Sequence, residues 1–217
     1  MAPIGRARPG ILARTPFFDD QVLAAVRAGV PQVVICGAGY DDRALRFRSP
    51  GTRFFELDHP ATQADKARRL RAMGVVRGAV LVPADFRDAD VATVLAAAGH
   101  DPSQPTLFLC EGLLIYLDQP VIRRLLTGLR SRAGLGSSLA ASLATHPSGL
   151  DSAQVAAALN ADRRHGDTEP WLTVLPALDW VRLLAATGWL AHSQADPRAE
   201  GRSLLVVAHP ARGPQME

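Results

Sequence analysis

The chain has few of the features that stabilise small secreted proteins or attach a protein to a membrane. Among its 217 residues there are only two cysteines, Cys36 and Cys110, and each lies in a short apolar run. We interpret them as small buried side chains, not as a disulfide or a pair of metal ligands. No stretch approaches the roughly 18 consecutive apolar residues of a membrane helix, and no residues have the spacing of a structural zinc site. The sequence therefore predicts neither a membrane span nor a metal.

A concentrated block of positive charge is also lacking. The isoelectric point of about 9.4 comes from arginines spread along the chain, and the formal net charge is only +3. Without a basic block interleaved with aromatic residues, we expect no nucleic-acid partner. Residues Met1 to Gly10 do not contain the apolar segment of a secretory signal. We expect a cytoplasmic protein.

The sequence does contain a regular alternation of apolar runs and helical segments. Its hydrophobic content of 47% and charged content of 21% are those of a globular protein, and its length suits a single domain. Helices between the apolar runs predict right-handed crossovers and a parallel sheet. The five predicted strands of this part are Val33–Cys36, Arg53–Leu57, Gly78–Val82, Thr106–Cys110 and Ser137–Ala144.

The bounds of two helices are also predicted from the sequence. Residues Met1 to Pro9 are interpreted as a mobile tail, and the first helix is expected over Gln21 to Ala28. Asp88 is expected to cap a later helix over Val91 to Ala98.

The pattern changes after Pro147. A helix over Asp151–His165 and a following loop predict a short cap around residues 147–176. The chain then continues with a helix, Leu178–Thr187, and two more strands, Trp189–Ala195 and Ser203–Ala208, which a short loop should make antiparallel. The expected fold is a doubly wound α/β sheet of seven strands, mostly parallel, with a C-terminal antiparallel hairpin. This arrangement is typical of S-adenosylmethionine-dependent methyltransferases.

The stretch Gln32–Asp58 has the pattern of half a nucleotide-binding site. A buried strand leads into Gly37-Ala38-Gly39, where small residues allow a tight turn and the close approach of a ligand. Asp41 and Asp42 are expected to cap the next helix. The following strand ends at Asp58, about 20 residues further on, where an acid holds ribose hydroxyls.

The carboxylates near this turn restrict the class of ligand that it can bind. Asp42 replaces the third glycine of a dinucleotide fingerprint, and carboxylates at the helix start oppose a pyrophosphate. Asp58, Asp85 and Glu111 each follow a predicted parallel strand, so we expect all three at the ligand-binding edge of the sheet. An acidic site favours a cofactor that carries positive charge, as S-adenosylmethionine does on its sulfonium and amino group.

Several strings resemble the leucine carboxyl methyltransferase family, namely ARTPFFDD, QVVICGAGYDDRALRF, FFELDHP, VPADFRD, AGHDPSQPTLFLCEGLLIYL and AATGW. This is an S-adenosylmethionine-dependent class that includes the protein phosphatase 2A methyltransferase and bacterial polyketide carboxyl methyltransferases. The resemblance runs from Arg14 to Leu135 and returns from about Leu178 to the end. Members usually carry a longer region before the arginine motif and a larger insertion after the fifth strand. The short cap around 147–176 is compatible with three alternatives: a more open substrate pocket, a pocket completed by a partner subunit as in a homodimer, or a site that does not support the usual reaction.

The resemblance implies a set of cofactor-binding residues. Arg14 matches the arginine that holds the cofactor's carboxylate, and Asp58 matches the acid that binds the ribose hydroxyls. The remaining matched positions are Gly37, Ala38 and Gly39 beside the methionine moiety, Asp85 and Phe86 around adenine, and Glu111 at the end of the fourth strand.

Three residues are candidates for contact with the methyl acceptor. A carboxylate acceptor needs no base but needs a hydrogen-bond donor, for which we consider Arg43 and Tyr116. A phenol, with a pKa near 10, would benefit from a base, and His146 follows the fifth strand at the expected edge. Each has a plainer interpretation: Arg43 pairs with Asp41 or Asp42, Tyr116 is a core residue, and His146 is an exposed loop histidine.

The predicted function is O-methylation of a carboxylate or phenol on a small metabolite, such as a polyketide of secondary metabolism. One alternative is an enzyme of another class that uses the cofactor for cyclisation or rearrangement. Another is a cofactor-binding partner without chemistry. A nicotinamide oxidoreductase is disfavoured by Asp42 and by the hairpin at the end of the chain.

Overall fold

The computed structural model describes residues 9–75, 78–161, 169–193 and 203–211. Within them a single sheet has the strand order β3-β2-β1-β4-β5-β7-β6. All neighbouring pairs from β3 to β5 are parallel, whereas β7 is antiparallel to both β5 and β6. The strands are β1 (Gln32–Cys36), β2 (Arg53–Asp58), β3 (Val80–Pro83), β4 (Thr106–Cys110), β5 (Ser138–Ala144), β6 (Trp189–Ser193) and β7 (Ser203–Pro210).

Helices cover both faces of this sheet. No helix among the described residues is both long enough and apolar enough to cross a membrane. A single 3-10 turn, Leu114–Tyr116, follows β4. The helices are α1 (Pro9–Arg27), α2 (Arg43–Arg46), α3 (Pro60–Ala72), α4 (Val91–Ala97), α5 (Gln119–Ser131), α6 (Ser152–Ala161) and α7 (Ala177–Ala186).

The central strands are buried on both faces, as their unbroken apolar runs predict. In β1, Val34 and Cys36 join the larger core cluster, whereas Val33 and Ile35 join the smaller one on the opposite face. The larger cluster includes side chains of α4, α5 and α7, and the smaller one includes side chains of α1 and α2. This packing holds the carboxyl ends of the parallel strands at one edge.

Two tryptophans attach the C-terminal part of the chain to the rest of the sheet. Trp180 in α7 and Trp189 in β6 are fully buried. The Trp180 indole N–H donates to the carbonyl of Ala144, 2.7 Å away, and the Trp189 indole N–H donates to the carbonyl of Leu126, 3.0 Å away. Each aromatic body is therefore buried without leaving its donor unpaired.

The predicted sheet is confirmed, including the antiparallel finish. The helix start at Gln21 is wrong, because α1 begins at Pro9 and contains Pro16. Phe18 and Val22, four residues apart, are both fully buried, so packing of this face compensates for the backbone hydrogen bond that Pro16 cannot make. Residues 1–8 of the predicted tail lie outside the described residues.

Other boundaries differ by smaller amounts. Asp90, not Asp88, caps α4, because its carboxylate accepts from the Ala92 amide at 3.2 Å and from the Thr93 hydroxyl at 2.5 Å. The cap helix is described as α6, Ser152–Ala161, and the rest of its predicted span, residues 162–165, lies outside the described residues.

A buried histidine at the amino end of β4 makes stability depend on pH. His100 is 3% exposed, and its Nε2 lies 3.0 Å from Thr106 Oγ1. Its ring also lies against those of Phe55 and Phe108, with centroids 5.5 and 5.9 Å away. Burial, with the nearby positive charge of Arg132, lowers the pKa of His100 from 6.5 to about 4.

We expect the free energy of unfolding to fall on acidification between pH 6.5 and 4. In that range the unfolded chain protonates this histidine and the folded chain does not, so the loss of free energy of unfolding from pH 7 to pH 5 is about 2 kcal/mol. Urea unfolding at pH 7 and pH 5 measures it. His100→Gln should lose less stability on acidification, and His192→Gln, at an exposed position, should behave as the unmodified chain. An unchanged pH dependence in His100→Gln would contradict this assignment.

Candidate functional site

The candidate site lies at the carboxyl edge of the parallel strands. Cys36 at the end of β1 is in register with Leu57 of β2 and Cys110 of β4. The residues that follow, Gly37 after β1, Asp58 at the end of β2 and Glu111 after β4, are thereby brought to the same edge. This is the edge at which open α/β sheets bind ligands.

The turn after β1 depends on glycine. Gly37 and Gly39 have φ values of 67° and 48°, in the left-handed region that glycine adopts without strain. A Cβ atom on Gly37 would also lie 3.0 Å from Leu113 Cδ1. The Gly39 amide donates to Asp58 Oδ2 at 2.7 Å. The turn therefore brings backbone close to the end of β2.

Asp58 and Asp85 both lie at this edge with partly exposed side chains. Besides the Gly39 amide, Asp58 accepts from the amide of His59 at 2.7 Å, through its other oxygen. Asp85 pairs with Arg87, which lowers the pKa of the Asp85 carboxyl to about 2. Its neighbour Phe86 is 8% exposed, in the larger core cluster. Both carboxylates are thus positioned by backbone groups or a cation before any ligand arrives.

Arg43 joins three separate parts of the chain. Its side chain is only 5% exposed, and its Nε donates to Asp19 Oδ1 of α1 at 2.7 Å. Its Nη1 lies 2.5 Å from Asp41 Oδ2 and 2.7 Å from Glu111 Oε2. Burial acts to lower the pKa of Arg43, but the carboxylates of Asp41, Glu111 and Asp19 outweigh it and raise that pKa above its ordinary value.

Glu111 is held from two sides. Its Oε1 accepts from Arg14 Nε at 2.9 Å, while its Oε2 faces Arg43. The guanidinium of Arg14 also lies against the backbone after β4, since a Cβ on Gly112 would be 3.0 Å from Arg14 Nη1. Arg14, to which the resemblance assigns the cofactor's carboxylate, is therefore in direct contact with Glu111, the matched glutamate at the end of the fourth strand.

The acids of the glycine turn differ in their contacts. Asp41 accepts from the amide of Arg43 at 2.7 Å, which is the helix-capping bond expected there. Asp42 makes no side-chain capping bond, so this part of the prediction is wrong. Its carboxylate instead pairs with Arg46, 2.7 Å away, one helical turn along.

A second ion pair beneath the turn was not predicted from the sequence. Glu56 in β2 and Lys66 in α3 form a buried pair, and Lys66 Nζ also donates to the carbonyl of Asp41 at 2.7 Å. Burial of Glu56 raises the pKa of its carboxyl despite the opposing effect of Lys66. The sequence signal for this pair is the carboxylate of Glu56 between the apolar residues Phe55 and Leu57, because a buried carboxylate requires a partner.

The predicted acceptor-binding residues lie in different surroundings. Arg43 is surrounded by carboxylates, as described above. Tyr116 ends the 3-10 turn after β4 and is partly exposed. His146 is 7% exposed, so it is not the exposed loop histidine of the plainer interpretation. Contact of these three residues with an acceptor stays a prediction, as does contact of the cofactor-binding set with a cofactor.

The cap is joined to the site by several hydrogen bonds. The amides of Leu172 and Thr173 both donate to the carbonyl of Ile115, at 2.7 and 3.2 Å. Asn160 of α6 exchanges two hydrogen bonds with the backbone of Trp171, at 2.9 and 2.8 Å. The described part of the cap is thus attached to the 3-10 turn that carries Tyr116.

The strand order, the antiparallel end of the sheet and the acidic carboxyl edge define a class I, S-adenosylmethionine-dependent methyltransferase. Within that class the chain belongs to the leucine carboxyl methyltransferase family, whose model matches residues 3–130. The resemblance recognised in the sequence is thereby confirmed.

A similar protein of Frankia alni, named "putative S-adenosyl-L-methionine-dependent methyltransferase", is 37% identical over 210 residues, which are 94% of this chain and 70% of that protein. The chain spans about half the length of similarly named mycobacterial relatives.

Solved structures share the fold at low identity. A "putative methyltransferase" of Thermobifida fusca has a TM-score of 0.68 and 17% identity, covering 94% of this chain and 82% of its own. The mitomycin 7-O-methyltransferase MmcR has a TM-score of 0.60 and 16% identity, covering 91% of this chain and 57% of its own. At these identities the likeness shows the fold alone.

We expect Asp58→Ala to abolish measurable binding of S-adenosylmethionine. The change removes the carboxylate that is expected to hold the ribose and that accepts from the Gly39 amide. Isothermal titration calorimetry measures the affinity. Asp88→Ala, an exposed acid outside the strand ends, should bind as the unmodified chain. Undiminished affinity of Asp58→Ala would refute the assignment.

Replacing Gly37 by alanine should weaken cofactor binding and destabilise the fold. Positive φ costs a residue with a Cβ about 1–3 kcal/mol, and here the new methyl also meets Leu113. Gly29→Ala is the matched control, because Gly29 has a φ of 71° and no atom within 4 Å of the place that a Cβ would take. Thermal unfolding and calorimetry compare the two variants. Equal affinity of the two variants for S-adenosylmethionine would show that the turn at Gly37 does not contact the cofactor.

Proposed function

We propose that this chain transfers the methyl group of S-adenosylmethionine to an oxygen atom of a small acceptor, either a carboxylate or a phenol. The observation that carries the proposal is the convergence of Asp58, Asp85 and Glu111 at one sheet edge around the Gly37 turn. Family membership supports transfer from this cofactor. The shared fold of the mitomycin 7-O-methyltransferase is consistent with oxygen as the accepting atom.

The residues at this edge suit the cofactor. No atom lies within 4 Å of the place that a Cβ on Gly39 would take, so the turn has open space there. The carboxylate of Asp58 has free lone pairs for the ribose hydroxyls after accepting two amides. Arg14 would bind the carboxylate of the methionine moiety and Glu111 its ammonium group, while Asp85 and Phe86 would contact adenine. When bound, the cofactor supplies a methyl group activated by a positively charged sulfur. The protein then has to orient the acceptor and exclude water.

A carboxylate acceptor would need only orientation, because it is ionised at neutral pH. The Arg43 guanidinium is already engaged by three carboxylates, which makes Tyr116 the better of the two candidate donors. Its hydroxyl makes no hydrogen bond with any residue in the part of the chain that the structure describes. Since Tyr116 lies beside the segment that binds the cap, its hydroxyl would meet an acceptor held between the cap and the sheet edge.

A phenolic acceptor would also need a base, for which His146 is the candidate. Its position just beyond β5 places it on the cap side of the edge. General bases contribute about 10²–10⁴-fold to proton removal.

Incubation with cofactor labelled on the methyl group tests the proposal directly. We expect label to appear in an ester or ether product when panels of small carboxylic acids and phenols are supplied. Calorimetric binding of the cofactor without transfer to any acceptor would contradict methyl transfer and favour a cofactor-binding partner. A rearranged product without label would favour the cyclisation or rearrangement alternative.

His146→Ala should slow turnover of a phenol by about 100-fold and leave a carboxylate substrate nearly unaffected. Only the phenol has a proton to lose, so only its reaction depends on a base. Initial rates with the two acceptor types give the ratio. Equal losses on both would show that His146 supports the structure of the site and not proton removal.

A further inference from the structure

Both ring nitrogens of His146 are occupied by neighbouring groups of the chain. Nδ1 lies 2.8 Å from the carbonyl oxygen of Pro147, and Nε2 lies 2.8 Å from the hydroxyl of Ser152. A carbonyl oxygen only accepts hydrogen bonds, so Nδ1 carries the proton. In the neutral ring Nε2 then has the lone pair and accepts from the Ser152 hydroxyl.

The two partners differ in their access to a ligand. His146 is 7% exposed, whereas Ser152, the first residue of α6, is partly exposed. An acceptor that approached Nε2 directly would have to displace the serine hydroxyl from a nitrogen of the buried ring. The hydroxyl oxygen of Ser152, in contrast, keeps lone pairs free after donating its own hydrogen.

The surrounding backbone fixes the pair at the foot of the cap. The amide of His146 donates to the carbonyl of Leu175 at 3.3 Å, and Thr145 forms a β-bridge with the same residue. At the start of α6, Asp151 accepts from the amide of Gln154 at 2.8 Å. No ion pair of His146 occurs within the described ranges, so a carbonyl, not a carboxylate, orients the ring.

We infer that Ser152 is the group that takes the proton of a hydroxyl acceptor and passes its own proton to His146. This inference rests on the proposed function and deepens it, because it assigns the site to phenols or other weakly acidic hydroxyls. As the acceptor oxygen forms its bond to the methyl carbon, the bond from that carbon to the cofactor's sulfur would break and leave its electron pair on the sulfur. The hydrogen of the acceptor moves to Ser152 Oγ, and the original hydrogen of Ser152 moves to His146 Nε2. The imidazolium then carries one positive charge, with hydrogens on both nitrogens, until it returns the proton to water through the same hydroxyl.

A carboxylate acceptor would make no use of this arrangement. It has no proton to give at neutral pH, and the lone pairs of Ser152 would oppose its negative charge. The pair therefore favours a neutral hydroxyl over a carboxylate as the acceptor, in contrast to the carboxyl chemistry in the family name.

Nuclear magnetic resonance of the protein alone tests the proton positions. Long-range ¹H–¹⁵N spectra, recorded at a pH where the ring is neutral, should show hydrogen on Nδ1 of His146. Ser152→Ala should shift the Nε2 resonance, while Ser148→Ala, at an exposed serine of the same loop, should not. Hydrogen on Nε2, or no response to Ser152→Ala, would overturn the inference. This measurement needs neither cofactor nor acceptor, so it stands apart from failure of methyl transfer.

Kinetic measurements then distinguish a role of Ser152 in proton transfer from a role in stabilising the fold. For a phenol methylated by the unmodified chain, Ser152→Ala should lower kcat about 100-fold with little change in KM. Ser152→Thr, which keeps a hydroxyl, should restore most of the rate, and Ser148→Ala should match the unmodified chain. Circular dichroism checks that each variant is folded. A full rate in Ser152→Ala, or a loss that Ser152→Thr does not repair, would overturn the relay. A chain that methylates only carboxylates would also overturn it while leaving the proposed transfer intact.

Discussion

The buried guanidinium of Arg43 is the group on which the site depends. A cation so nearly removed from water is costly unless hydrogen-bonded carboxylates compensate it, and Asp19, Asp41 and Glu111 provide that compensation. These residues belong to the first helix, the turn after β1 and the end of β4. One charge therefore fixes the relative positions of the three segments that surround the expected cofactor. Removing any one of these carboxylates would take away part of the compensation for the buried positive charge of Arg43.

The same network joins Arg14 and Glu111, the residues that the proposed function assigns to the amino-acid end of the cofactor. Glu111 binds Arg14 on one oxygen and faces Arg43 on the other. The Arg14 side chain, 31% exposed, is oriented by Glu111. A cofactor with one carboxylate and one ammonium group could exchange partners with this pair without a net change of charge. Such an exchange limits the desolvation cost of binding, because both protein groups are already paired.

The cap side of the site is built differently, from neutral hydrogen bonds. Ile115 accepts two amides from the cap, Asn160 pairs with the backbone of Trp171, and His146 lies between a carbonyl and a hydroxyl. Directional neutral bonds can be remade with smaller cost than buried ion pairs. The charged side of the edge thus suits an invariant charged cofactor, and the neutral side suits an acceptor whose chemistry varies among methyltransferases.

The sheet and its acidic edge could be predicted from the order of the amino acids alone. Strand runs, helix spacing and the crossover rule depend on local patterns and on handedness, so the seven strands and the positions of Asp58 and Glu111 could be predicted from them. The pairing of the charged and polar groups, in contrast, depends on contacts that exist only in the folded chain. Arg14 and Glu111 are 97 residues apart, and Asp19 and Arg43 are 24 apart, so no periodic pattern relates them. The start of α1 before Pro16 and the burial of His146 against Ser152 were decided in the same way, because packing between distant segments outweighs the local signals of proline and of a loop.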